Sequence, residues 1–599
     1  MSDFISAAAV PAGDAPRRRV LGDFTADRRV LALAGLAVVV GTGGAFAAWF
    51  LVRLIGVAVN LAWFGRWATE IPSMAGAVRG PWMVALPVLG GLAVGLMARF
   101  GSEKIRGHGI PEAIEAILVG ESRMSLRVAV LKPLSSAISI GSGGPFGAEG
   151  PIIMTGGAIG SLFAQFFRLS ASERKTLLVA GAAAGMTGIF GTPFASVLLA
   201  VELLLFEWRP RSLVPVATAA VVAICWRPWL FAPGPLFAFA GAVPAVWWLL
   251  PAAVGLGVAV GLLSGVLTAA LYALEDLFAR LPVHWMWWPA IGGLFVGLGG
   301  LVEPRALGVG YGVIADLLAG RLALRVVAAL LVVKAAVWLV SLSSGTSGGV
   351  VAPLLILGGA FGWLAGLVLP GQSQGFWALL GMAAMLGGTM RAPLMGAVFA
   401  AELTGDLAAL PALLAATVAA YAVSVLLMRR SILTEKIARR GRHVVQEFGA
   451  DPFELARVGE VMARDVAVIG EAMAVGEAVA VLEAGAHRVY PVVDAAGRPV
   501  GLVSRGDALR WVVEGGHEGE PVARHLSARL PAVVHPGDVV THALDVMLAA
   551  DQGRLPVTDP QSGVLVGLIS RKDLLRVRAG VARSEGERQA YFVARAGKA

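Results

Sequence analysis

Gly181 to Leu203 reads GAAAGMTGIFGTPFASVLLAVEL, and Gly381 to Leu403 reads GMAAMLGGTMRAPLMGAVFAAEL. Aligned on Pro193 and Pro393, the second stretch repeats Gly181, Ala183, Ala184, Gly188, Pro193, Ala200, Glu202 and Leu203 of the first. Further upstream, PIIMTGGAIG from Pro151 matches PLLILGGAFG from Pro353, and the same shift pairs Lys132 with Lys334. Glycine, alanine and leucine recur by chance in apolar sequence. A lysine, a proline and a glutamate in register do not, because each is costly or disruptive inside a membrane helix. The chain therefore reads as a duplicated transporter scaffold, with halves at about 30–230 and 240–430.

Composition agrees with a membrane location. Hydrophobic residues make up 57% of the 599-residue chain and charged residues 15%, and the mean hydropathy is +0.76. The runs Val30–Val52, Trp82–Ala98, Leu213–Phe231, Val246–Leu271 and Leu407–Met428 are each long enough to span ~30 Å of hydrocarbon. The net charge of +9 could suggest nucleic acid, but much of the positive charge flanks the apolar region: Arg17, Arg18, Arg19, Arg28 and Arg29 before it, Arg429, Arg430, Lys436, Arg439 and Arg440 after it. Such flanks read as cytoplasmic, giving an even number of crossings and no nucleic-acid partner. The single cysteine, Cys225, permits no intrachain disulfide. The polar, arginine-bearing start lacks a secretory signal, so a bacterial plasma membrane with both termini cytoplasmic is expected.

Transporters built from repeats bind substrate where the repeats meet, at broken helices whose free N–H groups and positive dipole ends face an anion. Three glycine-rich segments fit that role: Arg106–Pro111 (RGHGIP), Gly141–Pro151 (GSGGPFGAEGP) and Ser344–Pro353 (SGTSGGVVAP). Each ends in proline, which is tolerated in the first helical turn, so each reads as a loop feeding a helix N-terminus.

In this order the three segments resemble the filter motifs of the CLC family of chloride channels and chloride/proton antiporters, over roughly residues 30–440. The family's GSGIP corresponds to Gly107-His108-Gly109-Ile110-Pro111, its GREGP to Gly147-Ala148-Glu149-Gly150-Pro151, and its GxFxP to Gly349-Val350-Val351-Ala352-Pro353. The resemblance implies an all-α polytopic domain of two inverted-topology repeats, a homodimer with one anion pathway per subunit, and no enzymatic activity. It also makes Glu149 the gate, a carboxylate that occupies an anion site when ionised and swings away when protonated.

Four positions depart from the family pattern. His108 stands where the family has a serine that holds the central anion; an imidazole can also donate a hydrogen bond, and it gains charge when protonated. Val351 replaces the aromatic of the third motif, and Leu433 stands at the tyrosine position, leaving the central site fewer side-chain donors. Leu203 occupies the place of the antiporters' internal glutamate, which interrupts the familiar proton route and favours a passive or weakly coupled pathway. The alternative is a proton-coupled antiporter with a non-standard relay, for which His108 is a candidate. The family's fluoride exporters alter the same two motifs, but with other residues and without an ending like Pro151, so chloride is the default anion. Glu202 and Glu402 are expected to pair with helix ends or basic groups. Lys132 and Lys334 either attract anions or bind carbonyls or a glutamate.

Beyond Arg440 the composition becomes soluble and α/β. VGLVSRGDALR from Val500 recurs as VGLISRKDLLR from Val566, a strand followed by Ser-x-x-Asp and a helix start. This resembles a tandem CBS pair at 456–515 and 521–580, preceded by an amino-terminal segment 1–29 and the membrane domain 30–440, and followed by a tail 581–599. In that family Ser504, Asp507, Ser570 and Asp573 are candidates for contacting an adenine nucleotide, though a capping box needs no ligand. No cofactor is required and no metal is assigned. A CBS-bearing magnesium-type transporter would need converging intramembrane carboxylates, of which the repeated blocks offer few beyond Glu149, Glu202, Glu402 and Asp406. An intramembrane metalloprotease would need a second histidine near His517-Glu518 at helical spacing.

Overall fold

The structure is a computed structural model that describes residues 28–118, 122–239, 248–369, 372–440, 453, 456–485, 487–526 and 532–577. The tail 581–599, and the amino-terminal segment apart from 28 and 29, lie outside the described residues. The described residues from 28 to 440 form one compact unit, and those from 453 to 577 form another.

The first unit is helical. Seven of its described helices are long and apolar enough to cross a membrane, and each of the five runs picked out by composition overlaps one of them. Trp285–Val302 and Leu324–Ser343 add two more. Shorter helices fill the interior, among them Ile110–Leu118, Glu149–Ala164, Pro193–Leu199, Val351–Ala365 and Pro393–Thr404. The duplication is visible in the packing: Glu149–Ala164 lies against Ala171–Phe190 as Val351–Ala365 lies against Gln374–Met390.

Contacts between the halves are reciprocal, as an inverted repeat requires. A Cβ on Gly91 would lie 2.2 Å from the Pro289 carbonyl, and one on Gly293 would lie 2.2 Å from the Pro87 carbonyl, so Trp82–Phe100 and Trp288–Val302 cross at their glycines. The Glu202 carboxylate accepts from the N–H groups of Leu394 (3.2 Å) and Met395 (2.9 Å), while Glu402 accepts from Phe194 (3.1 Å) and Ala195 (2.8 Å). Each glutamate thus caps the short helix of the other half, satisfying amides that have no intrahelical partner. The expected helix-end role of the two glutamates is what the packing displays.

The second unit holds two α/β modules. Ile469–Gly470 runs parallel to Val489–Val493, which is antiparallel to Pro499–Ser504; Arg554–Thr558 is antiparallel to Leu565–Ser570. Their lead segments are exchanged. Val458 is buried in the second core with Val557 and Ile569, and Val522 is buried in the first with Val492 and Val503. Backbone bonds fix the exchange, Val458 N–H to Asp538 and Val522 N–H to Met473, both 2.9 Å.

Candidate functional site

The three glycine-rich segments meet inside the membrane unit, each entering a helix N-terminus: Ile110–Leu118, Glu149–Ala164 and Val351–Ala365. Gly147 and Gly349 exchange two backbone hydrogen bonds, of 3.1 and 2.8 Å. They occupy matching positions in the two halves, so the pseudo-twofold relation passes between them. Gly107 donates to the Gly345 carbonyl at 3.2 Å, and Gly348 donates to that of Gly107 at 3.4 Å. A Cβ on Gly150 would fall 1.8 Å from the His108 carbonyl, so the first and second segments pack backbone to backbone. Gly107 and Gly109 have φ of +72° and +89°, which only glycine adopts without strain.

Glu149 opens its helix and is fully buried. Its carboxylate lies over Gly147 and Gly349, where any side chain would overlap it. The amides of Glu149 itself and of Ala352 lie close by, yet neither carboxylate oxygen attains hydrogen-bond geometry. The carboxylate is thus held between two helix N-termini, where a small anion would find the same partial positive charge. Ala148, Val350, Val351 and Ala352 are buried around it and offer backbone only.

His108 is 3% exposed and its Nδ1 is buried without a partner. Lys132 Nζ donates to the carbonyls of Ile105 (2.8 Å) and Gly107 (2.7 Å). Lys334 does the same for Ala306 (2.9 Å) and Gly308 (3.0 Å). Both lysines are fully buried, so their first task is to hold loop carbonyls that would otherwise lack donors. Leu433 is buried in the first turn of Ile432–Arg439, a helix that packs on Ile110–Leu118. Leu203 is buried in the π-helical turn Ala200–Leu205.

Sequence reasoning missed two features here. Tyr311 follows Gly308-Val309-Gly310, with φ of +63° and +80° at the glycines, which repeats the Gly107-x-Gly109 pattern of the other half. Its buried hydroxyl has no hydrogen-bond partner. The missed signal was this second Gly-x-Gly. The other feature is an ionic cluster below the first segment. Glu112 Oε1 meets Lys436 Nζ at 3.1 Å and Arg440 at 2.9 Å, and Arg440 also reaches Glu115 at 2.6 Å. These groups line a cavity of about 750 Å³ that also touches Met154, the residue beneath Gly109.

In the second unit Ser504 and Asp507 bond each other. Ser504 Oγ donates to Asp507 Oδ2 at 2.6 Å and Ser504 N–H donates to it at 2.9 Å; Ser570 and Asp573 repeat both distances. For Ser504 and Asp507 this is a complete capping box.

Comparison with known proteins agrees with this architecture. A family model described as voltage gated chloride channel matches residues 89–425, and a CBS domain model matches 458–514 and 523–580. The chain is 30% identical over 422 residues to a putative chloride channel protein ClcB-like of Ralstonia nicotianae, covering 68% of this chain and 97% of the relative. It is 32% identical over 375 residues to the voltage-gated ClC-type chloride channel ClcB of Escherichia coli, covering 60% and 88%. Among solved structures it resembles a slow cyanobacterial Cl⁻/H⁺ antiporter, with TM-score 0.59, 22% identity and coverage of 69% and 98%. A eukaryotic CLC transporter gives 0.57, 22%, 91% and 98%. A CLC-type fluoride/proton antiporter gives 0.57, 21%, 67% and 97%.

Proposed function

Because this chain belongs to the voltage gated chloride channel (CLC) family, as a multi-pass membrane protein followed by a CBS pair, we propose that it conducts chloride passively or with weak proton coupling, through a pathway gated by Glu149. One observation carries the reading: a buried carboxylate stands at the junction of two helix N-termini without a completed hydrogen bond. A carboxylate and a halide compete for the same donors, so the side chain blocks the path while ionised and clears it when neutral. Gly107, His108, Gly109, Ile110, Pro111, Gly147, Ala148, Gly150, Gly349, Val350, Val351, Ala352 and Leu433 belong to the proposed anion path. The homodimer, cytoplasmic termini and bacterial plasma membrane belong to the same reading, and the ClcB relatives are bacterial.

Passive conduction is supported by Leu203, whose buried side chain cannot carry a proton where an acid would be needed. A magnesium-type transporter is disfavoured because the glycine-rich junction presents N–H donors, whereas a hard cation needs oxygen ligands. Nucleotide binding at the CBS pair remains part of the proposal only in so far as Ser504, Asp507, Ser570 and Asp573 exchange their internal bonds for a ligand.

The test is ion efflux from liposomes holding the purified protein, read together by chloride, fluoride and pH electrodes, for wild type and Glu149→Ala. Chloride release without stoichiometric proton uptake, altered by Glu149→Ala, supports the passive reading. Chloride-driven proton movement against a gradient overturns it in favour of an antiporter with a different relay.

A further inference from the structure

The stretch that joins the two CBS modules brings together His517, Glu520 and His525, whose ligating atoms all lie within 4.8 Å of one another. His525 Nε2 is 2.8 Å from Glu520 Oε2. The two imidazoles pack with centroids 4.5 Å apart at 45°, and the His525 ring also stands edge-on to Trp511 at 6.4 Å. His517 Nδ1 is buried and has no hydrogen-bond partner. Two imidazoles pressed together beside a carboxylate, with a buried ring nitrogen left unsatisfied, form an incomplete polar cluster. A cation shared by all three side chains would complete it.

The backbone around the cluster is built rather than loose. Glu520 N–H bonds the His517 carbonyl at 3.0 Å, closing the turn that carries both ligands. The carbonyls of Glu518 and Glu520 accept from Gly476 (3.0 Å) and Val475 (2.9 Å) at the start of the helix Val475–Ala484. Val522 and Ala523 donate to Met473 (2.9 Å) and Glu471 (3.1 Å), which anchors the approach to His525. The three side chains are therefore presented from a pinned frame, and only rotations about their own bonds are needed to close from 4.8 Å to the spacing of ligands on one ion.

We propose that His517, Glu520 and His525 form a binding site for a divalent transition metal, zinc in the first instance. Two imidazoles with one carboxylate suit zinc and its neighbours, and they do not suit calcium or magnesium, which take oxygen ligands. Three protein ligands leave a fourth position for water, and all three side chains are partly exposed, so the ion exchanges with its surroundings. The site lies where the turn between the modules runs into the short helix Val522–Arg524, and a bound ion would tie Glu520, ahead of the exchanged segment at Val522, to His525 behind it. The site uses none of the residues of the proposed anion path, and the sequence alone assigned no metal to it.

The test uses the full-length, tag-free protein in detergent. Zinc is titrated in competition with a chromophoric chelator, and cobalt is added separately to read visible ligand-field bands. The expected result is one ion per chain, a cobalt spectrum of tetrahedral type, and at least about tenfold weaker binding in His517→Ala and in His525→Ala. His535→Gln, in the second module, should bind as wild type does. Glu520→Gln guards against a merely structural effect: it should weaken zinc binding while the melting temperature without metal stays unchanged. Absence of a stoichiometric ion, or undiminished binding in the double variant His517→Ala/His525→Ala, overturns the assignment.

Discussion

A carboxylate at the first turn of one helix and facing the first turn of another takes up partial positive charge that a dissolved anion would otherwise use. Glu149 stands in that position, so neutralising it should remove competition rather than structure. Glu149→Gln is expected to give chloride flux that no longer changes with pH, where wild-type flux rises as protonation clears the path; a retained pH profile in stopped-flow or electrode assays would count against the gate. Tyr311 offers a second residue-level expectation, because its buried hydroxyl has no partner. Tyr311→Phe should leave the melting temperature nearly unchanged, since no hydrogen bond is lost. It should weaken apparent chloride affinity by about 1 kcal/mol if that hydroxyl donates to the anion, measured by concentration dependence of flux. Glu149 was legible because its motif is a contiguous run of sequence. Tyr311 was not, since its importance comes from folding the other half's Gly308-x-Gly310 turn to the same place.

Helices Pro193–Leu199 and Pro393–Thr404 each begin with proline and carry no side-chain cap of their own. Their caps come from across the repeat, through Glu402 and Glu202. The recurrence of both glutamates was plain in sequence and suggested helix ends, but which end each would reach depends on inversion, which linear spacing does not encode. Glu202→Gln and Glu402→Gln should each lower stability by about 1 kcal/mol, with chloride still conducted, because an amide oxygen keeps a hydrogen bond but loses charge at the helix N-terminus. Thermal melting in detergent checks this, and equal costs for the two variants are expected from the symmetry of the exchange. The halves differ at this place: Ala200–Leu205 is π-helical, while the matching turn continues as α-helix to Thr404. The π-helical turn packs on Ile110–Leu118, and Leu203 is buried within it as Leu403 is buried in the matching turn, so the local departure from the repeat falls at the Leu203 position.

At the scale of the whole chain, the apolar runs and the register of Lys132, Pro193 and Glu202 with their copies were enough to read two membrane halves, because lipid forbids unsatisfied backbone and tolerates few charges. Trp285–Val302 and Leu324–Ser343 were harder to pick out, the first for its mixture of glycine and tryptophan and the second for the lysine at its centre. In the tail, the repeated Ser-x-x-Asp revealed two modules but not their exchange of lead segments, since strand partners far apart in sequence leave no periodic trace. That exchange ties the two modules together: Val458 opens the first module in sequence yet is buried in the second core, and Val522 opens the second yet is buried in the first. Val458→Ala should therefore cost about 2 kcal/mol and be felt first at the second sheet. Hydrogen exchange read on Arg554–Thr558 and on Val489–Val493 distinguishes the two. Faster exchange at Arg554–Thr558 for Val458→Ala, and at Val489–Val493 for Val522→Ala, is the expected crossed pattern, whereas loss of protection confined to the module nearest in sequence would mean that each module folds on its own segment.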